Sequence, residues 1–131
     1  MANSNTKYFD LQTNGLGYIN QVREVAPEGG DAFWTVHLAA LRGSTENVQY
    51  THFECRVSGK QAQDIVRQLQ PAVEGKLKVL IGFTLSDLTG EAFLFKQGER
   101  AGTPGFSMKA RLLRISWAKV DGQPFYTERA A

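Results

Sequence analysis

An all-β chain broken by one short helix is what this sequence predicts, and three observations carry the prediction. Strand character comes first, over residues 16–25, 33–41 and 48–57. A single stretch with helical spacing follows at 58–70. Strand character then returns over 77–85, 91–97 and 107–118. A lone helix between the third and fourth strands of a five-strand set is the chain order of an OB-fold, a small Greek-key barrel whose open face commonly receives single-stranded nucleic acid. The expected architecture is therefore a five-stranded Greek-key barrel with one short helix between strands three and four.

The first strand follows the turn signal Asn14-Gly15 and runs from Leu16 to Val25, with Gly17 marking a bulge or bend. Ala26 to Asp31 reads as a loop. In the second strand Trp34, Val36, Leu38 and Ala40 form an apolar set opposed by Thr35 and His37, the period of a half-buried strand. After a polar loop at 42–47, the third strand turns Thr51, Phe53, Cys55 and Val57 inward. Tyr50, His52, Glu54 and Arg56 then share the opposite face, where an OB-fold meets its ligand around strands two and three.

Ser58-Gly59-Lys60-Gln61 matches a capping box, with serine as the cap and glutamine three residues on. Ala62, Ile65, Val66 and Leu69 fall at helical spacing and would plug the barrel's end, and Pro71 is expected to end the helix. Strand four alternates Leu77, Val79, Ile81, Phe83 and Leu85 with Lys78, Gly82 and Thr84. Residues 86–90 read as a hairpin loop, 91–96 as its returning arm, and 97–106 as a glycine-rich loop around Arg100. The last strand runs from Ser107 to Lys119, Asp121-Gly122 is a tight-turn pair, and Pro124-Phe125-Tyr126 returns as a short edge strand.

Composition bounds the rest. At 131 residues, 42% hydrophobic and 21% charged, the chain is long and apolar enough for one core. The expected division is a flexible arm over 1–13 and one domain over 14–127. No apolar run approaches the ~20 residues that span a bilayer. The polar start Met-Ala-Asn-Ser-Asn-Thr-Lys lacks the apolar stretch of a secretion signal. Cys55 is the only cysteine, so an internal disulfide is excluded, which fits a reducing compartment; a cytoplasmic location is the expectation.

Charge is uneven. Residues 1–55 carry three basic side chains against six acidic ones (−3), and residues 56–131 carry twelve against seven (+5). The stretch 96–119 holds six basic residues against Glu99 alone. Such a stripe attracts phosphates through counterion release. The small total of +2 argues against a duplex binder driven by bulk Coulomb attraction.

Catalytic chemistry finds little to work with. His52 and Cys55 fall on opposite faces of one strand, and a thiolate zinc site has no second cysteine. There is no Gly-Lys-Ser/Thr phosphate loop and no Gly-x-Ser-x-Gly elbow, and the carboxylates are scattered. No enzyme activity, metal or cofactor is expected. Binding of a single strand asks only for flat aromatic surfaces and cations. Trp34, Phe53 and Phe83 lie in apolar alternation sets and are assigned to the core. The candidate nucleic-acid contacts are Tyr50, His52, Arg56, Phe93, Phe95, Lys96, Lys109 and Arg111.

Two resemblances follow from the residues. Gly17 to Val25, the Trp34 to Leu41 strand and Phe53 to Ala62, with its Gly59-Lys60-Gln61-Ala62 step, resemble the layout of bacterial single-stranded-DNA-binding proteins over about residues 15–118. Phe83 to Leu88 and Lys109 to Ile115 are similar to a family of replication-associated proteins of integrating conjugative elements, filed as a domain of unknown function, over nearly the whole chain. These resemblances imply an OB-fold, single-stranded DNA as ligand, and assembly as a dimer or tetramer. The binding-protein family places tryptophans on the third strand and a phenylalanine before the Gly-Lys step; here those places hold residues near His52 and Ser58. The acidic partner-recruiting tail of that family has no counterpart in Thr127-Glu128-Arg129-Ala130-Ala131.

The sequence thus leads to a non-catalytic, sequence-independent single-stranded DNA binder serving replication or transfer of a mobile element. It would work as a homo-oligomer, away from membranes, with replication or conjugation proteins as further partners. The rival reading is an OB-fold protein-interaction module whose 91–97 arm adds to a partner's sheet.

Overall fold

The computed structural model describes residues 9–127. Its elements are β1 (Gln12–Val25), β2 (Phe33–Ser44), β3 (Asn47–Val57), α1 (Lys60–Glu74), β4 (Val79–Leu94), β5 (Pro104–Val120) and β6 (Gln123–Thr127). The protein is mostly β with one helix. Among the described residues the strands form one sheet in the order β3-β2-β1-β4-β5-β6. Neighbours in that order are antiparallel, and a further, parallel pairing joins Phe53–Val57 of β3 to Met108–Leu112 of β5. Residues 1–8 of the expected N-terminal arm lie outside the described residues.

Alternation builds the core. Val36 and Leu38 of β2, Phe53, Cys55 and Val57 of β3, and Ile81, Phe83 and Leu85 of β4 are all buried, as their spacing predicts. Trp34 is partly buried and packs against this cluster. The helix adds Ala62, Ile65, Val66, Leu69 and Val73 from one face and packs on β1, β4 and β5. In β1 the period slips: pairing with β2 shifts between Ile19 and Gln21. Asn20 is the extra residue of a bulge, so Ile19 and Val22, three apart, are both buried. Gly17 serves close approach, because a Cβ there would lie 2.6 Å from the Ala39 carbonyl oxygen.

Several local expectations are corrected. Asn14-Gly15 is not a turn: both residues pair with β4 inside β1, which begins at Gln12. The helix does not stop at Pro71 but runs to Glu74. Proline removes one N–H donor there, yet the helix ends only one turn later, in a Schellman motif with Lys76 N–H donating to Val73 O and Leu77 N–H to Ala72 O. The capping box does not form either. Gly59 is the N-cap, with no side-chain cap bond. Gln61 instead grips β5: its Nε2 donates to Ile115 O at 2.7 Å, and its Oε1 accepts from Ile115 N at 3.1 Å.

The expected hairpin loop at 86–90 is also absent. β4 runs through it, pairing Ser86 with Arg111 and Thr89 with Lys109. Asp87 and Leu88 therefore face a single residue of β5, a bulge with Asp87 at a φ of 54°. Short polar residues and glycine favour bulges for the same reason that they favour turns, since both need unusual dihedrals. The real reversal is the segment 95–103, closed by Phe95 N–H donating to Thr103 O and Gly102 N–H to Phe95 O. At the other end Asp121 and Gly122, with φ of 48° and 80°, make the predicted tight turn into β6.

Candidate nucleic-acid interface

Register places the outward side chains of β1, β2, β3 and β5 in transverse rows. One row is Tyr18, Ala39 and His52. The next is Gln21, His37, Glu54 and Lys109, and the third is Arg23, Thr35, Arg56 and Arg111. Cross-strand neighbours on one face are within side-chain reach. Tyr50, His52, Arg56, Lys109 and Arg111 therefore share one surface. They come from two separate stretches of sequence, brought together by the β3–β5 pairing.

A chain of polar contacts crosses the middle of this surface. Glu54 Oε1 lies 2.7 Å from His37 Nδ1, and His37 Nε2 lies 3.0 Å from His52 Nδ1. A carboxylate only accepts, so His37 donates from Nδ1, and one N–H at most fits between the two imidazoles. Beside it the Arg56 guanidinium lies 4.0 Å from the centroid of the Phe33 ring, a cation–π contact. Beneath, Cys55 is fully enclosed; burial first, and the Glu54 carboxylate second, push its thiol up from 9.0 to about 12. It is a core residue and not a nucleophile at neutral pH.

Two clefts open along β3. The larger, about 550 Å³, is lined by Tyr18, Asn20, Ala39, Tyr50 and His52 from the strands and by Lys76, Leu77 and Lys78 from the segment after α1. The smaller, about 300 Å³, is lined by Arg23, Phe33, Glu54, Arg56 and Lys109. Tyr50 and His52 thus border one cleft, Arg56 and Lys109 the other.

The cations differ in their partners. Lys109 Nζ lies 2.9 Å from Glu91 Oε2, and Arg111 Nε lies 3.1 Å from Asp87 Oδ2, so these two cations of β5 are countered by acids of β4. Arg111 also donates to Ser58 Oγ at 3.2 Å. Arg23, Arg56, Lys76 and Lys78 have no ion pair among the described residues.

Phe93, Phe95 and Lys96 are elsewhere, at the far end of the β4–β5 ribbon, and border neither cleft. Phe93 and Phe95 meet edge to face at 5.0 Å, and the Arg100 guanidinium lies 5.2 Å from the Phe95 ring. Phe93 lies across Gly105, where a Cβ would be 2.6 Å from its ring. Leu94 and Phe106 are exposed on the same ribbon. Trp117 covers Gly82 of β4, with Lys119 5.8 Å from its ring, apart from both clefts.

Sequence reasoning did not select Tyr18, Arg23, Phe33, Lys76 or Lys78. The Asn20 bulge puts Tyr18 and Arg23, of opposite parity, on one face; the buried pair Ile19 and Val22 is the sequence signal of that slip. The two lysines reach the cleft only because α1 docks beside β1, which no local pattern encodes. Among the described residues no three His, Cys, Asp or Glu side chains come together to hold a metal ion, and no helix is long and apolar enough to cross a membrane.

A family model described as a protein of unknown function (DUF3577) matches residues 2–131. No curated protein and no solved structure matches the chain.

Proposed function

We propose that this chain, which belongs to the DUF3577 family, is an OB-fold that binds single-stranded DNA without sequence preference and without catalysis. The fold reading is supported by the pairings β1–β2, β2–β3, β3–β5, β5–β4 and β4–β1, a ring of five strands with its helix between β3 and β4. The observation that carries the binding reading is the outward face of β1–β2–β3. There Tyr18, Phe33 and Tyr50 are interleaved with Arg23 and Arg56 and bordered by Lys76 and Lys78, cations with no ion pair among the described residues. Aromatic faces stack on bases of any identity, and cations without counter-charges gain most from a phosphate.

This reading moves the weight of the site. Tyr50, His52 and Arg56 keep their assigned role, while Lys109 and Arg111 act at the border, where Glu91 and Asp87 already offset them. Phe93, Phe95 and Lys96 would meet only a strand long enough to run out along the β4–β5 ribbon. A role in replication or transfer of a mobile element, with the protein as a homo-oligomer in the cytoplasm, completes the proposal and rests on the resemblances drawn from the sequence.

The test is fluorescence anisotropy of a labelled oligo-dT titrated with the protein at several salt concentrations. Saturable binding that weakens linearly with the logarithm of salt is expected. No association at low salt would overturn the proposal. One observation favours a second reading: Phe93, Leu94 and Phe106 are 40%, 62% and 66% exposed on a projecting ribbon, as a protein-contact surface would be. Light scattering that finds a Phe106-dependent oligomer, in a protein indifferent to oligo-dT, would favour that interaction module instead.

A further inference from the structure

We infer that the cleft over Ala39 is an anchoring pocket for one nucleotide, with its base between Tyr18 and His52 and its phosphate on Lys76. The inference rests on the single-strand reading and goes beyond it, because a non-specific groove needs no such pocket. Three independent features converge on it.

The first is shape. Tyr18, Ala39 and His52 are partners across three adjacent strands, so a small side chain separates two ring-bearing ones. Tyr18 and His52 stand two strand spacings apart, about 10 Å, leaving a slot between them for one more flat ring. Ala39 lines the cleft although the residue is only 5% exposed. Tyr50 borders the same space.

The second is chemistry. Asn20 contributes an amide able both to donate and to accept at a base edge. His52 is oriented by its contact with His37 in the next row of the same face. Lys76 and Lys78 supply the only lysine or arginine charges that line it among the described residues. Aromatic rings, an amide and cations around a volume of about 550 Å³ suit a nucleotide better than an apolar ligand or a bare anion.

The third is backbone strain. Lys76 sits at a φ of 62°, in the left-handed position of the Schellman motif that ends α1, where glycine carries no steric cost. The segment is pinned further by Lys78 N–H donating to Asp121 Oδ1 at 2.9 Å. A lysine placed where glycine is locally better has a side chain doing something that the helix end does not require.

That strain makes the test decisive. Lys76→Gly removes the charge while relieving the backbone, so stability should hold or rise as binding falls. In the oligo-dT titration it should weaken affinity several-fold and reduce the salt slope by about 0.7, the loss of one phosphate. Ala39→Val, which suits a strand, fills the slot and should weaken binding roughly tenfold or more with the slope unchanged, since no charge is lost. Unaltered affinity in both variants while the wild-type protein binds would overturn the pocket and leave the single-strand reading standing. A wild-type protein that ignores oligo-dT would remove both. Thermal melts of each variant separate loss of the slot from loss of the fold.

Discussion

Arg111 Nε lies 3.1 Å from Asp87 Oδ2, and a bulge puts it there. Pairing between β4 and β5 steps from Ser86–Arg111 to Thr89–Lys109, and the spare residue lets Asp87 adopt a φ of 54° and turn its carboxylate onto the guanidinium. The basic stripe visible in the sequence of β5 is therefore partly neutralised by its hairpin partner. Both side chains are largely exposed, so the pair contributes little to stability and matters mainly for the surface potential.

Asp87→Asn tests that consequence. Asparagine tolerates the left-handed backbone, so the bulge should persist while Arg111 loses its counter-charge. Affinity for oligo-dT should rise about two- to fivefold at low salt, with a steeper salt dependence, as expected when an exposed ion pair of roughly 0.5–1 kcal/mol is released. Unchanged or weaker binding would remove Arg111 from the phosphate path.

Gln61→Ala should cost about 1–3 kcal/mol in urea denaturation. The glutamine makes both backbone bonds of Ile115 where the β4–β5 register shifts between Gly82 and Phe83, and its Nε2 also donates to the Tyr126 hydroxyl at 2.8 Å. Alanine leaves the Ile115 amide without a partner beside a fully buried side chain. A loss no larger than that of an exposed helix residue would show that water replaces the grip.

Gly17→Ala should destabilise by about 1–3 kcal/mol, because its methyl would meet the Ala39 oxygen at 2.6 Å and the Ala40 Cα at 2.8 Å in the adjacent strand. Both are main-chain atoms and cannot rotate aside. A neutral substitution would mean that β1 and β2 separate freely here.

Cys55 predicts an alkaline signature. Its thiol, pushed to about 12 from 9.0 by burial, stays protonated in the folded state while the unfolded thiol ionises above 9.0. Its stabilising contribution is therefore complete below pH 9.0 and is lost as pH rises toward 12. Cys55→Ala, compared with wild type across that range, should flatten the decline, and a thiol reagent at pH 8 should label the wild-type protein only after denaturant is added. Rapid labelling of the folded protein would contradict the burial.

His37 and His52 share a single N–H across 3.0 Å. Nitrogen-15 spectra of the neutral imidazoles should find His37 protonated at Nδ1, facing Glu54, and His52 protonated at Nδ1, facing His37. Glu54→Ala should release the preference of His37. The opposite tautomer in wild type would break the relay.

Much of the fold was legible in the chain. Alternation in β2 and β3 assigned the core and the outward face, and Asp121-Gly122 fixed its turn through the positive dihedrals that an Asp-Gly pair accommodates cheaply. Such patterns are local, and a local pattern is all that hydrophobic periodicity and turn chemistry can record. Tertiary structure decided what depends on two segments at once. Residues 86–90 became a bulge because β5 was present to pair on both sides of them, and Gln61 became a clamp on Ile115 because the helix packs on β5. Lys76 and Lys78 joined Tyr18 and His52 across one cleft because α1 docks beside β1. Residue order states which side chains alternate; only the closing of distant strands states which of them meet.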